Sequence, residues 1–403
     1  MEEIKKMKEK EKEEEKIKFE DKKNEEKWKI EEEKFSSLND NVNLTNNFKF
    51  ENFPELKFKE SISCGRGFQP KNVAVYCMIK NNKRLYQMAF CKTKYYSTNF
   101  GFGLIIIYNL VSNKIENKIY NAYQGACPTL KHYYNSSTKN HILLSFSSDW
   151  YNTSYLTNLW NISSNPIINI LQITNCYGNP CLVFKNVDFF IFGRKYAQNN
   201  SNDPDKESMC FWDKNGSLIK RTKKSNLNNL RFSEATYFEN KNYILLSGSG
   251  YDQKTRKTLY FSECYNYDED KIKTYKDGEN ENDSNISCIN LFKKGNDIYL
   301  ITGSSKTVNI FEFESTELKT RILLGEGSVN SLCSINEKYM IASNSFKLKI
   351  IDMENHSVIK EYSAHEDGCN KYDIQGIEKI KIPEKGEFII TYSNQGLIKI
   401  WKI

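Results

Sequence analysis

Three observations predict the fold class. A pair of large apolar or aromatic residues returns seven times along the 403-residue chain, the runs that carry it alternate apolar with polar residues, and Tyr and Phe are abundant at 25 and 24. Alternation is the period of a strand, and aromatic and β-branched side chains suit a pleated, half-buried surface. A unit of this size, repeated without any helical stripe, implies blades of four antiparallel strands. The predicted class is all-β: a seven-bladed β-propeller closed by an N-terminal strand and preceded by a charged helical or disordered arm.

The recurring endings are Ile107-Tyr108-Asn109, Leu159-Trp160-Asn161, Phe211-Trp212-Asp213, Tyr260-Phe261-Ser262, Ile310-Phe311-Glu312, Ile350-Ile351-Asp352 and Ile400-Trp401-Lys402. Taken at the second residue of each, the spacings are 52, 52, 49, 50, 40 and 50 residues. Each pair closes an alternating run and is followed by a polar or charged residue. Seven weak signals in step carry more weight than any one of them.

These endings resemble the WD-repeat family, whose units close on Trp-Asp or a variant of it. The resemblance covers most of residues 50–403, is strongest from Asp297 onwards, and is of a divergent kind: one true Trp-Asp, Trp212-Asp213, and no Gly-His dipeptide. In the last unit Ala364-His365, Thr391, Ser393, Asn394 and Trp401 are similar to the family's set of side chains that staple a blade by hydrogen bonds, with Asn394 in place of Asp. The resemblance implies that role for His365, Thr391, Ser393 and Trp401, and a related structural role for Trp212, Asp213 and Trp160.

Closure follows from the chain's end. The last unit reaches Ile403 at its third strand, and an unpaired sheet edge is an aggregation hazard. The alternating run Phe48-Lys49-Phe50 to Glu55-Leu56-Lys57-Phe58-Lys59 supplies the missing fourth strand, before Val73-Ala74-Val75 opens the first blade. Domain limits are therefore expected at 1–47 for the arm and its Asn-rich linker and 48–403 for the propeller. Residues 1–34 hold 12 Lys and 14 Asp or Glu but no sustained heptad of apolar positions, so no coiled coil is supported.

Charge divides unevenly. Without residues 1–34 the chain keeps 46 basic and 37 acidic residues, a surplus of nine that mildly favours acidic partners. Eleven cysteines are scattered with no C-x-x-C pair, which reads as buried reduced thiols in a cytoplasmic or nuclear protein. No secretory h-region and no apolar run of membrane length occurs. His365-Glu366-Asp367-Gly368-Cys369 lacks the second His or Cys pair that a metal needs, and no G-x-S-x-G, P-loop or H-E-x-x-H pattern is present. The expectation is no enzyme activity, no cofactor, no metal, no small-molecule substrate and no membrane.

Binding is expected on the loops between the second and third strands. These are short in the last three units and longer in the first four, near Lys92–Gly101, Ser148–Tyr155, Arg194–Glu207 and Gly248–Arg256. They carry Lys94, Tyr95, Tyr96, Trp150, Tyr151, Arg194, Lys195, Tyr251, Lys254 and Arg256, residue types that favour interface hot spots. The reading is a protein–protein scaffold or adaptor within a multi-subunit complex. The alternative is RNA association, since basic and aromatic loops suit single strands.

Overall fold

The structure, a computed structural model, describes residues 56–63, 73–80, 83–92, 102–124, 126–135, 138–148, 155–174, 191–194, 209–212, 217–221, 229–252, 257–276, 286–367, 370–383 and 385–403. The arm expected at 1–47, and Phe48–Phe50 of the closing run, lie outside them. Among the described residues the strands form seven antiparallel sheets in chain order, plus a small hairpin of Glu366–Asp367 with Asn370–Lys371.

Sheet one takes Val73–Lys80, Lys83–Lys92, Phe102–Asn109 and Lys114–Gln124. Sheet two takes Ala126–Asn135, Asn140–Ser148, Tyr155–Asn161 and Ile168–Thr174. Sheet three has Ile191–Arg194, Met209–Trp212 and Leu218–Arg221; sheet four has Asn229–Phe238, Lys241–Asp252, Lys257–Asn266 and Lys271–Lys276. Cys288–Lys294, Asp297–Gly303, Thr307–Glu312 and Leu318–Leu323 make sheet five. Leu332–Ser334, Tyr339–Asn344, Lys347–Asp352 and Ser357–Ser363 make sheet six. Sheet seven joins Ile374–Ile382, Gly386–Ser393 and Leu397–Lys402 to the N-terminal strand Lys57–Ser63.

That strand pairs antiparallel with the last one, from Lys57 opposite Lys402 to Ser63 opposite Leu397. It sits several residues later than the run read from sequence. Alternation marked Lys57-Phe58-Lys59, but the pairing continues through Glu60-Ser61-Ile62-Ser63, where the apolar signal is thin.

The recurring pair has a structural cause. In six of the seven sheets the ladder between the last two strands slips at the pair: Ile107/Tyr108, Leu159/Trp160, Phe211/Trp212, Ile310/Phe311, Ile350/Ile351 and Ile400/Trp401, so the three described strands of sheet three match the second to fourth of the others. Each time the fourth strand carries one extra residue, a β-bulge that sharpens the local twist. Sheet four pairs without a slip, and its equivalent residues are Tyr265-Asn266 rather than Phe261-Ser262. Phe261 lies mid-strand, where an aromatic and a small polar neighbour mimic the motif.

The polar follower then turns the chain. The Oδ1 atoms of Asn109, Asn266 and Asp352 each accept two backbone N–H bonds from the residues two and three further on, at 2.7–3.2 Å. Four residues after the acceptor, Asn113, Asp270 and His356 adopt φ of 55°, 53° and 51°. Asn, Asp and His tolerate this left-handed conformation better than most residues, so hairpins of one design recur.

Apolar surface is buried between sheets. One cluster joins sheets one and two through Ala89, Ile105, Leu143 and Trp160; others join four to five, five to six and six to seven. First strands touch in succession from one to two, four to five, five to six, six to seven, and seven back to one. Phe211 of sheet three packs on Tyr265 and Tyr267 of sheet four, at ring distances of 5.8 and 5.0 Å. The arrangement is a ring with the first strands inside, consistent with seven blades and a closed seam.

Gly376 lies at a register slip in the first strand of sheet seven, and a Cβ there would fall 2.0 Å from the Tyr392 ring. That room lets the Tyr392 hydroxyl accept the Val73 amide of sheet one across the seam. A Gly376→Ala variant is expected to lose about 1–3 kcal/mol through overpacking, read as a lowered midpoint in denaturant unfolding.

Candidate interaction face and central channel

The last sheet shows how side chains lock one unit. His365 has no exposed surface and its Nε2 lies 2.7 Å from the Thr391 hydroxyl, which also accepts the Trp401 indole N–H at 3.0 Å. One hydroxyl thus ties the segment entering the sheet to its second and third strands. Burial, with Lys399 adding to it, drives the His365 pKa down to about 3, so the ring is neutral. Ser393, also buried, accepts the Leu397 amide at 3.2 Å across the turn. The side-chain Oδ1 of its neighbour Asn394 and His365 Nδ1 find no hydrogen-bond partner among the described residues. In sheet two the Trp160 indole donates to Ser145 at 2.9 Å, the same kind of bond between third and second strands. Trp212 is placed in its strand by backbone only, and Asp213 lies outside the described residues.

A second buried group joins sheets one and two. The His132 ring stacks on Tyr76 at 4.1 Å, and its Nε2 lies 3.1 Å from His141 Nδ1. His141 Nε2 accepts the Ile79 amide at 3.4 Å, so in the neutral pair His141 carries its proton on Nδ1 and donates it to His132. Burial and the neighbouring His141 bring the His132 pKa down to about 3, and burial lowers that of His141.

The channel holds a charged cluster that sequence reading missed. Lys131 of sheet two pairs with Glu234 of sheet four at 2.7 Å, and both act electrostatically on Glu378 of sheet seven. These three sheets are not neighbours, so the side chains meet in the middle of the ring. Burial, reinforced by Glu234 and opposed by Lys131, pushes the Glu378 pKa up to about 7. Burial works against the Lys131 charge, but Glu234 and Glu378 outweigh it and raise the pKa. Lys131 and Glu234 keep 28% and 34% side-chain exposure, so water reaches the cluster.

All three occupy the same register position. Lys131 faces Leu144, Glu234 faces Leu245 and Glu378 faces Ile390, and the partners of those residues directly precede Trp160, Tyr265 and Trp401. Sheets one, five and six put Ala74, Asn290 and Cys333 there. Aligning the repeats on Tyr265 instead of Phe261 would have exposed this belt.

The loop residues expected to bind are placed only in part. Lys94, Tyr95, Tyr96, Trp150, Tyr151, Lys195, Lys254 and Arg256 lie outside the described residues. Arg194 and Tyr251 belong to strands, opposite Met209 and Thr258. The loop expected from Gly248 to Arg256 is corrected: pairing continues to Asp252 opposite Lys257, leaving only 253–256 as connection. The Gly248-Ser249-Gly250 stretch expected in that loop is strand, because its partner Lys257–Phe261 completes the ladder.

No protein-family model and no curated protein sequence matches the chain. Solved structures do. The crystal structure of the WD40 beta propeller domain of Doa1 superposes with a TM-score of 0.56 at 14% identity, over 87% of this chain and 98% of that one. The fold is a WD40-type β-propeller. The crystal structure of Chaetomium thermophilum Raptor gives 0.55 at 8% identity, over 84% of this chain and 29% of Raptor's.

Within this propeller Thr391 serves two buried ring nitrogens. Thr391→Val keeps the shape and removes the hydroxyl; a loss of about 2–4 kcal/mol is expected from the groups left unsatisfied, measured by urea unfolding. The histidines give the propeller an acid sensitivity. His132 and His365 have folded pKa values below 6.5, so their stabilising share is intact above 6.5 and is lost as pH falls towards about 3. By pH 5 each accounts for about 2 kcal/mol. Glu378 runs the other way, because its raised pKa favours the folded state at low pH. A His132→Phe variant should therefore show a shallower fall of melting temperature between pH 7 and 5 than the parent chain, in calorimetric scans.

Proposed function

We propose that the propeller is a non-catalytic protein–protein interaction scaffold, an adaptor subunit of a larger complex working in the cytoplasm or nucleus. The observation that carries this is the inequality of its second-to-third-strand connections. They span 93–101, 149–154 and 195–208 in sheets one to three, against 304–306, 345–346 and 394–396 in sheets five to seven. All leave the same end of their sheets, and connections at one end of a rigid scaffold are where binding residues tend to collect. Sheet four contributes by a longer hairpin instead, ten residue pairs from Tyr243–Asn266 to Asp252–Lys257. Residues 1–47 stand in this reading as a second contact region outside the propeller, and His365, Thr391, Ser393, Trp401, Trp160, Trp212 and Asp213 as its structural staples.

Reduced surroundings suit the cysteines. Cys91, Cys264 and Cys288 are buried thiols outside any disulfide, and burial raises the pKa of the latter two, leaving them unreactive.

The test reverses three charges on the proposed face. Lys94→Glu, Arg194→Glu and Lys254→Glu together should cut recovery of co-purifying protein by about tenfold or more, with the melting temperature unchanged. Unchanged recovery would place the contact elsewhere. Salt-sensitive retention of single-stranded RNA in a filter assay, lost in the same variant, would favour the RNA reading instead.

A further inference from the structure

On the opposite face, at the seam, a cavity of about 430 Å³ opens between sheets seven and one. That volume suits a few side chains of a ligand. Its floor is apolar: Ile382, Phe388, Ile390 and Ile400 are all buried. Its rim is exposed and basic. Lys59 comes from the N-terminal strand and stands 5.4 Å over the Phe388 ring; Lys385 comes from the hairpin of sheet seven and donates to the Val111 carbonyl at 3.2 Å. Neither lysine forms an ion pair among the described residues, whereas nearby Lys379 is neutralised by Glu387 at 2.9 Å.

The surface beside this cavity is unusually apolar. Among the described residues, six of the eight exposed large hydrophobic side chains, Ile79, Val111, Ile115, Tyr134, Ile168 and Ile170, belong to sheets one and two. Ile79, Val111, Ile115 and Tyr134 lie at the hairpin end, the end that the cavity opens on. Exposed apolar residues close to cations that form no ion pair among the described residues mark an interaction surface.

We infer that this seam cavity is a docking site for a short acidic peptide segment of a partner, with one apolar side chain seated on the Ile382–Phe388–Ile400 floor and flanking carboxylates on Lys59 and Lys385. Charge complementarity selects the acidic residues, and the apolar floor selects an apolar anchor between them. The site is separate from the loop face proposed above. Because it bridges the N-terminal strand, the last sheet and the first, an occupant also clamps the seam.

The experiment uses the full chain and a fluorescein-labelled peptide of sequence Glu-Leu-Asp-Leu-Glu, with Glu-Ser-Asp-Ser-Glu and Lys-Leu-Lys-Leu-Lys as controls, followed by fluorescence anisotropy at low and high salt. The apolar-acidic peptide is expected to bind and to raise the melting temperature, with affinity falling as salt screens the lysines. Lys59→Glu with Lys385→Glu, and separately Val111→Asp, should each weaken it by about tenfold. All three positions are exposed, so the variants should melt like the parent chain. The loop-face variant Lys94→Glu, Arg194→Glu, Lys254→Glu should bind the peptide normally, which keeps this site distinct from the proposed scaffold face. Equal binding of the Ser-containing control, unchanged binding by the Lys59/Lys385 variant, or no binding at about millimolar peptide would each overturn the assignment.

Discussion

Every sheet of this molecule has two faces to bury, and among the described residues there is no helix to bury them with. Leu300, Ile310, Ile341 and Ile350 lose all their exposed surface only because the neighbouring sheets cover them. Such a stack has no natural end, since its outermost sheets would show an apolar face to water. Bending it into a ring removes the problem at the cost of one seam. That seam carries the burden of the design: a borrowed strand against Leu397–Lys402, the Tyr392 hydroxyl on the Val73 amide, and the glycine that makes space for it.

What the sequence made legible was the repeat and its length, because the bulge at the third strand demands a large apolar pair and then a turn-forming polar residue. Six sheets carry the bulge at such a pair. The fourth was misaligned because Phe261-Ser262 has the right chemistry in the wrong register, and only the ladder with Lys241–Asp252 shows that Tyr265-Asn266 is the equivalent pair. The extent of the hairpin at Gly248-Ser249-Gly250 was misread for a similar reason: small residues suggest a turn, yet cross-strand pairing holds them extended.

The channel cluster was illegible for a different reason. Lys131, Glu234 and Glu378 come from three repeats that are far apart in sequence, and each looks like an ordinary polar residue of a half-exposed strand. Their meeting depends on curvature, which no local pattern encodes. The same applies to the cavity beside Lys59 and Lys385, whose walls are 326 positions apart in the chain. By contrast the His365, Thr391 and Trp401 cluster lies within one repeat, so the resemblance of that repeat to the WD-repeat set could point to it.

The antiparallel seam has a mechanical side. Leu56 and Ile403 leave the ladder at the same end, next to the Lys57–Lys402 pair. A pull applied at those two points loads the interstrand hydrogen bonds one after another, from Lys402 towards Leu397, instead of all at once. The ring is therefore stiff against forces spread around its rim, while tension between its two chain ends peels it open like a zip. Cargo tethered through one end alone leaves that zip unloaded, so attachment geometry decides how much strain the assembly survives.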